Sequence, residues 1–507
     1  MSRATPTAYH ANDGFPSRRR GARAPDQEGT VGLVRTLFGA AALTWLVATS
    51  STLHAETLEE ALIDVYIGNP ELAAGRARLR AADELVPQAL AGWRPTVTAD
   101  AGIEGVTGQS RSSVTGQQLD IDRTTRRVGA QLRQNLYAGG ATTAATSRAE
   151  NLVRAERANL LALEQRVLLD AIDAYTAVWR DRAVLDLALN NEQRLRRQLQ
   201  ATRDRFEVGE VARTDVAQAE ARLSRARADV EAAKANLAGS TAFYERVVGR
   251  PPGRLAKPTP LKTLPKTLAE ARSIAAQNPQ VIASTFSLAA AQDDVDVSFA
   301  SLLPSVDLVA SAERVEEPQA TLSWQRSASI GLSVTIPLYQ GGAEYARVRA
   351  ARQSVEARRN DLEAAYRSVQ QSVASAWDRL LAATAAIVAL RAEVRANDIA
   401  LKGVQEENLV GARTVLDVLD AEQELFSSRV NLVRAEREEI LASFQLKAAI
   451  GELTTEGLGL KVERYDAERN FRITRNRLMG LETEPPPNLI RRAEGRSSSA
   501  GKATSAQ

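Results

Sequence analysis

Residues 141–207 run without a single Pro or Gly, and residues 343–409 repeat that length with Gly403 as the only interruption. A continuous helix over either stretch would be roughly 100 Å long at 1.5 Å rise per residue. A helix of that length cannot bury itself in one globular core, so it must lie along other helices. Each stretch ends at a Gly-containing break, Val208-Gly209 and Val410-Gly411, and a second helical pattern follows. Past the first break Val216, Ala219, Leu223, Ala226, Val230, Ala233 and Leu237 step alternately by three and four. Past the second, Val418, Ala421, Leu425, Ser428, Leu432 and Ala435 do the same. These are heptad seams rich in small residues, suited to close antiparallel packing. The breaks are therefore expected to be the tips of two helical hairpins.

The two tips are related in sequence. The second reads Arg413-Thr414-Val415-Leu416-Asp417-Val418-Leu419-Asp420-Ala421-Glu422; the first keeps Asp215, Val216, Ala219 and Glu220, with Gln218 opposite Asp420. Asp417 and Asp420, three residues apart, share one helix face. Other pairs follow the same order: Thr57-Leu58-Glu59-Glu60-Ala61 with Thr267-Leu268-Ala269-Glu270-Ala271, Asn69-Pro70 with Asn278-Pro279, and Pro95 with Pro304. The chain is thus read as a tandem duplication, residues 56–250 and 267–452, joined by a Pro/Lys linker over 251–266. Residues 57–93 read as helix, with Thr57 and Glu60 forming a capping box. Beyond Leu453 the pattern loosens, and 484–507 reads as a disordered tail.

Between the first helix and the long helix of each half the period changes to two. Val97, Ala99, Ala101 and Ile103 alternate with small or polar residues, as do Val128, Ala130 and Leu132; Val306, Leu308 and Ala310; and Ile330, Leu332, Val334 and Ile336. This predicts strand hairpins over 95–137 and 304–338, each with one apolar face. Lipid outside and water inside would need that pattern, and so would an amphipathic hairpin on a soluble core. Both hairpins close on Leu136-Tyr137-Ala138-Gly139-Gly140 or Leu338-Tyr339-Gln340-Gly341-Gly342. Trp93, Tyr137 and Tyr339 suit a membrane-interface girdle, or equally anchors beside a turn.

Arg18, Arg19, Arg20, Arg23 and Arg35 precede an apolar run from Leu37 to Ala48, and Leu53-His54-Ala55 follows. That is the layout of a signal peptide over residues 1–55. The segment carries six Arg and three acids, so its removal takes the formal net charge from +3 to zero. The basic balance therefore belongs to the leader, and no nucleic-acid partner is expected. Both histidines, His10 and His54, leave with it, and the chain has no Cys. Ser-His-Asp triads, Cys nucleophiles and the common zinc sites are excluded, so neither an enzyme nor a cofactor is expected.

On these grounds residues 57–452 resemble the TolC family of outer-membrane channel proteins. The resemblance rests on the paired Leu-Tyr-x-Gly-Gly motifs, the duplication and the stretch Val410 to Ala421. Tyr465-Asp466 with Arg477-Leu478-Met479-Gly480-Leu481 resembles the C-terminal signature of members serving type I secretion. The resemblance implies a mixed, mostly α fold with β. Three copies would share a twelve-stranded transmembrane β-barrel, continued by a long periplasmic α-helical barrel of coiled-coil hairpins. Residues 453–483 would complete an equatorial segment. The protein would be a homotrimer in the outer membrane of a Gram-negative bacterium, projecting into the periplasm and contacting outer-membrane lipid. A periplasmic adaptor and an inner-membrane transporter, of ABC or RND type, would deliver drugs or secreted proteins to it.

The resemblance also assigns residues. Asp417 and Asp420 match a pore constriction, Arg413, Thr214 and Asp215 a lock that holds the tip closed, and Gly209 and Gly411 the tip hinges. Asn408 stands where the family's lock has Tyr. On the residues alone, Thr414-x-x-Asp417 is equally a capping box, and Arg413, Thr214 and Asp215 equally exposed tip residues. A soluble periplasmic coiled-coil adaptor or scaffold is the competing reading; it explains the helices but not four strands with lipid-suited faces.

Overall fold

In the computed structural model, which describes residues 55–483 apart from 112, 320 and 321, the first residues after the expected cleavage point are tied down. The Glu56 N–H donates to the Arg254 carbonyl, its carboxylate accepts from Tyr244 Oη, and Arg250 reaches it at 2.8 Å. The leader and the tail expected over 484–507 lie outside the described residues, Ala55 excepted.

The stretch 57–93, expected as one helix, is instead α1 (Leu58–Gly68), α2 (Pro70–Asp83), α3 (Leu85–Leu90) and a 3₁₀ turn, Ala91–Trp93. Asn69 is the reason for the first break. Its Oδ1 accepts from the N–H groups of Glu71 and Leu72, capping α2, and Pro70 supplies the preset first turn. Its Nδ2 donates to the Val247 carbonyl. The second half repeats the device: Asn278 caps with Oδ1 and grips the Ala449 carbonyl with Nδ2. Thr57 and Glu60 do form the capping box.

The hairpin β1 (Thr96–Arg111) and β2 (Gln118–Ala138) leads into α4 (Ala141–Glu207), a single helix of 67 residues, and then α5 (Arg213–Val248). The second half runs α6 (Leu268–Ala275), α7 (Pro279–Ala300), β3 (Ser305–Gln319), β4 (Leu322–Thr335), α8 (Ala343–Leu409) and α9 (Val415–Ala449). A last helix, α10, spans Arg469–Thr474. β4 stops short of the expected residue 338; Pro337 has no N–H to give a ladder, and Tyr339 falls in the loop behind it.

The four strands form one antiparallel sheet in the order β1-β2-β3-β4. α4 packs along α5 and α8 along α9. The first seam buries Ala219, Leu223, Ala226, Val230 and Ala233 as expected; the second buries Val418, Leu425 and Ser428. Their small side chains let the backbones approach closely. The main core lies where α1 meets the middle of α4 and the ends of α5 and α9, around Tyr66, Ile172, Tyr175, Tyr244 and Phe444. Residues 251–266 are a docked strap rather than a free linker: Leu255 bridges to Glu56, and Leu255 and Leu261 pack on this core.

Gly249 and Gly451 follow α5 and α9 in the left-handed region, at φ 87° and 89°. A Cβ on Gly249 would meet open space, but one on Gly451 would lie 2.9 Å from Asn278 Cα. Gly249→Ala should therefore cost only the left-handed strain, about 1–2 kcal/mol. Gly451→Ala should cost more, because backbone must also move. Thermal melts of the helical circular-dichroism signal check this; equal shifts in the two variants would mean that the contact is not felt.

Candidate functional site: the hairpin tips and the sheet face

At each tip the long helix ends in the same cap. Gly209 and Gly411 adopt φ 82° and 77°. The N–H groups of Gly209 and Glu210 return to the carbonyls of Phe206 and Arg205, and those of Gly411 and Ala412 to Asn408 and Glu407. A left-handed residue here closes the helix and turns the chain, which only Gly does without strain.

Asp417 is part of a complete capping box. Its carboxylate accepts from Thr414 N at 2.9 Å and Thr414 Oγ1 at 2.8 Å, while its own N–H donates to Thr414 Oγ1. The bonds from the Thr414 backbone, then from its hydroxyl, hold the carboxyl below the usual range. In the first half Asp215 accepts from Ala212 N at 3.0 Å, but alanine offers no oxygen in return. Asp420, one turn beyond Asp417, is exposed and ion-paired with Arg222 of α5. Arg413 pairs with Glu407 of its own hairpin at 2.9 Å, which pushes the guanidinium up. Within one protomer, then, Arg413 is not joined to Thr214 or Asp215; α5 begins with Asp215 folded back on its own cap.

The links that cross from one hairpin to the other are different. Arg205 Nη1 donates to Asn408 Oδ1 at 3.2 Å, and Asn408 Nδ2 holds the Arg413 carbonyl at 2.8 Å. Asn408 thus occupies the Tyr position of the expected lock and still joins the hairpins. Arg222–Asp420 is the second link. Val415 and Leu419 bury themselves among Leu195, Leu199 and Leu223 just behind. Glu422 is buried there too, at 4% exposure. Desolvation raises its pKa, against the pull of Arg194 and Arg197. None of Arg205, Arg222 and Glu422 was singled out from sequence. A polar residue interrupting the apolar stripe is the signal Glu422 offered; the two arginines offered none.

At the other end of the long helices lies the sheet. Residues paired across strands share a face, so the register sorts the side chains. Val97, Leu132, Ala310 and Ile330 form one row, Ala99, Ala130, Ala312 and Ala328 the next. On this face Val97 and Ile330 are 70% and 75% exposed, a surface no protomer would leave to water. The opposite face carries Arg133, paired with Asp307 at 2.7 Å, together with Ser311, Ser329 and Glu313. Trp93, Tyr137 and Tyr339 all sit exposed at the helix end of the sheet. Tyr137 pairs with Val306 past a bulge, on the apolar face. Trp324, which sequence reading passed over, stands on the same face near the far end, at even spacing from Ile330.

The C-terminal motif residues are structural. Arg76 lies against the rings of Tyr66 and Tyr465, and Tyr465 N donates to Tyr66 Oη. Asp466 accepts from Glu468 N and Arg472. Arg94 holds the Arg477 carbonyl at 2.9 Å, leaving Leu478, Met479 and Leu481 exposed. No group of side chains that could hold a metal occurs among the described residues.

A sheet apolar on one face and polar on the other, continued by helical hairpins whose far ends are polar and hydrogen-bonded, has the layout of a membrane-embedded duct protein. Comparison with known proteins makes the class specific. The family model "Outer membrane efflux protein" matches residues 64–243 and 271–452, and the chain belongs to that family. It is 36% identical to the outer membrane efflux protein BepC of Brucella suis over 87% of this chain and 95% of BepC. It is 28% identical to the outer membrane protein TolC of Vibrio cholerae, over 84% and 98%. Among solved structures the CmeC outer membrane channel of Campylobacter jejuni matches with TM-score 0.71 at 15% identity, covering 88% of this chain and 98% of that one. The protein is an outer-membrane exit duct for efflux or type I secretion, in a Gram-negative envelope.

Proposed function

We propose that three copies join their four-stranded sheets edge to edge into a closed twelve-stranded barrel, and that their six hairpins continue it as a hollow periplasmic duct. The observation that carries this is the open sheet: β1 and β4 each keep one unpaired edge. Neither edge can lie in hydrocarbon without a partner, because unsatisfied N–H and C=O groups there are costly. A second support is α8. It holds an 18-residue window of mean hydropathy 1.5, of which 22% is buried, and Leu381, Val388 and Ile399 line one exposed stripe of it. A stripe of that kind fits against a neighbouring hairpin. Trp93, Tyr137 and Tyr339 would mark the periplasmic-side interface of the outer membrane.

Asp417 and Asp420 of three copies would then ring the duct's narrow end, with Gly209 and Gly411 as hinges. Arg413 would meet Thr214 and Asp215 of an adjoining copy, completing a lock that one protomer lacks. A periplasmic adaptor and an inner-membrane transporter, ABC or RND, would dock at this end and release it. The transporter would select the cargo.

Membrane fractionation with N-terminal sequencing tests the reading. The expected product starts near Glu56, needs detergent for extraction and runs as a heat-labile trimer from the outer-membrane fraction. A soluble monomer would overturn the barrel and favour the scaffold reading.

A further inference from the structure

The apolar band on the sheet ends in two rows unlike the rest. Arg314 of β3 stands directly across from Arg326 of β4, and Arg126 of β2 across from Glu316. The register puts all four on the face of Val97 and Ile330. Glu316 is the one carboxylate among them, with Arg314 at 2.8 Å and Arg126 at 3.8 Å. Arg326 lies over the Trp324 ring, 5.2 Å from its centroid. Like charges directly opposite each other weaken a strand pair. Three guanidinium groups against one carboxylate leave a surplus that an anion would relieve. The next carboxylates on this face, Asp122 and Asp120, lie further toward the hairpin loop.

Depth sets the kind of anion. From the Val306 row, where Tyr137 stands, to the Arg314 row is eight residues, about 27 Å along the strand. With strands tilted by about 40°, Arg314 and Arg326 stand roughly 20 Å above the Tyr137 row, and Arg126 and Trp324 roughly 26 Å above it, where a transmembrane barrel's apolar band of about 25 Å ends. The helices leave the sheet from the Tyr137 end, so these rows face the exterior leaflet. Guanidinium forks match phosphate oxygens two at a time, and an interfacial Trp suits the boundary beside them.

We infer that Arg126, Arg314 and Arg326 form a binding site for the phosphate of a phosphorylated glycolipid headgroup in the exterior leaflet of the outer membrane. Glu316 orients two of the arginines, and Trp324 supports the third. The inference rests on the outer-membrane duct reading, which sets the sidedness.

The test uses the detergent-purified full protein and native mass spectrometry. The probes are a diphosphorylated acyl-glucosamine disaccharide, its dephosphorylated counterpart, and inorganic phosphate alone. Wild type should bind the phosphorylated lipid saturably. Arg314→Gln with Arg326→Gln should bind it at least about tenfold more weakly, as expected for lost charge-assisted hydrogen bonds, with the dephosphorylated lipid weak on both proteins. Arg326→Gln alone, which leaves the Glu316 pairs in place, should show a smaller loss and guards against misassembly of the double variant. Equal binding of both lipids, or an unaffected double variant, would overturn the site. Inorganic phosphate displacing the lipid at matching concentration would reduce it to a free-anion site and overturn it equally. Planar-bilayer conductance is recorded on the same samples. Channels without lipid discrimination sink only this inference, whereas no channels at all sink the duct reading beneath it.

Discussion

Replacing both Asp417 and Asp420 by Asn should abolish cation selectivity in planar bilayers, together with block by trivalent cations from the periplasmic side. Three copies would place six carboxylates around one aperture, and rings of carboxylates favour cations. Asn is the informative substitution because Asp417 also closes the capping box with Thr414. Alanine would also remove the acceptor for the Thr414 N–H and hydroxyl, whereas Asn keeps a side-chain oxygen in that place. The pH dependence follows from the same bonds. With its pKa depressed by Thr414, Asp417 contributes cap stability that is full above the unfolded value and is lost as pH falls through the lower folded one. Crowding in a ring works the other way, raising the coupled titration. The cap bonds oppose that rise at Asp417, so selectivity should be lost only as pH falls into the acid range. The reversal potential in asymmetric salt reads the result. An unchanged reversal potential in the double Asn variant would take both residues out of the conducting path.

Arg222→Ser with Arg205→Ser should raise conductance many-fold. At the tip, these side chains carry polar links between the hairpins, to Asp420 and Asn408. An exposed link of this kind contributes about 0.5 kcal/mol. Two links in each of three copies sum to about 3 kcal/mol, on the order of a hundredfold in the ratio of open to closed tips. Arg222→Ser carries a second signature: it frees Asp420 of its counter-charge, so cation selectivity should increase along with conductance. If conductance does not change, the hairpins are held by Val415 and Leu419 rather than by these links. Arg413→Ser separates the remaining possibility. Within one protomer Arg413 touches Glu407 of its own hairpin, so a rise in conductance there requires the contact to an adjoining copy.

Much of the fold was legible because it rests on periodicity. The heptad steps from Val216 to Ala233, the alternation around Val97 and Ile330, and the Gly breaks each express a local backbone requirement. The early helix was misjudged because Asn69-Pro70 was counted as a repeat marker and not as a cap. The docking of the 251–266 linker was not legible, because composition says nothing about docking and Leu255 meets its partner Glu56 only in the folded chain. At the tip, the capping role of Asp417 was legible, since Thr414 lies three residues before it. The cross-links were not. Arg222 and Asp420 lie in different halves, and nothing near either names the other. Asn408 replaces an aromatic, but its amide has both a donor and an acceptor and uses both.

The unbroken run of α4 has a mechanical consequence. From Tyr175, fixed in the main core, to the end of the helix at Glu207 is about 48 Å at 1.5 Å per residue. With no internal Pro or Gly to absorb bending, that length acts as a rigid lever. A rotation of about 5° at the core would carry the far end about 4 Å sideways, close to the spacing between neighbouring rows of side chains. Small rotations near the fulcrum would therefore be enough to slide Arg222 off Asp420, and a force applied at the far end would act on the core through the full length of the lever.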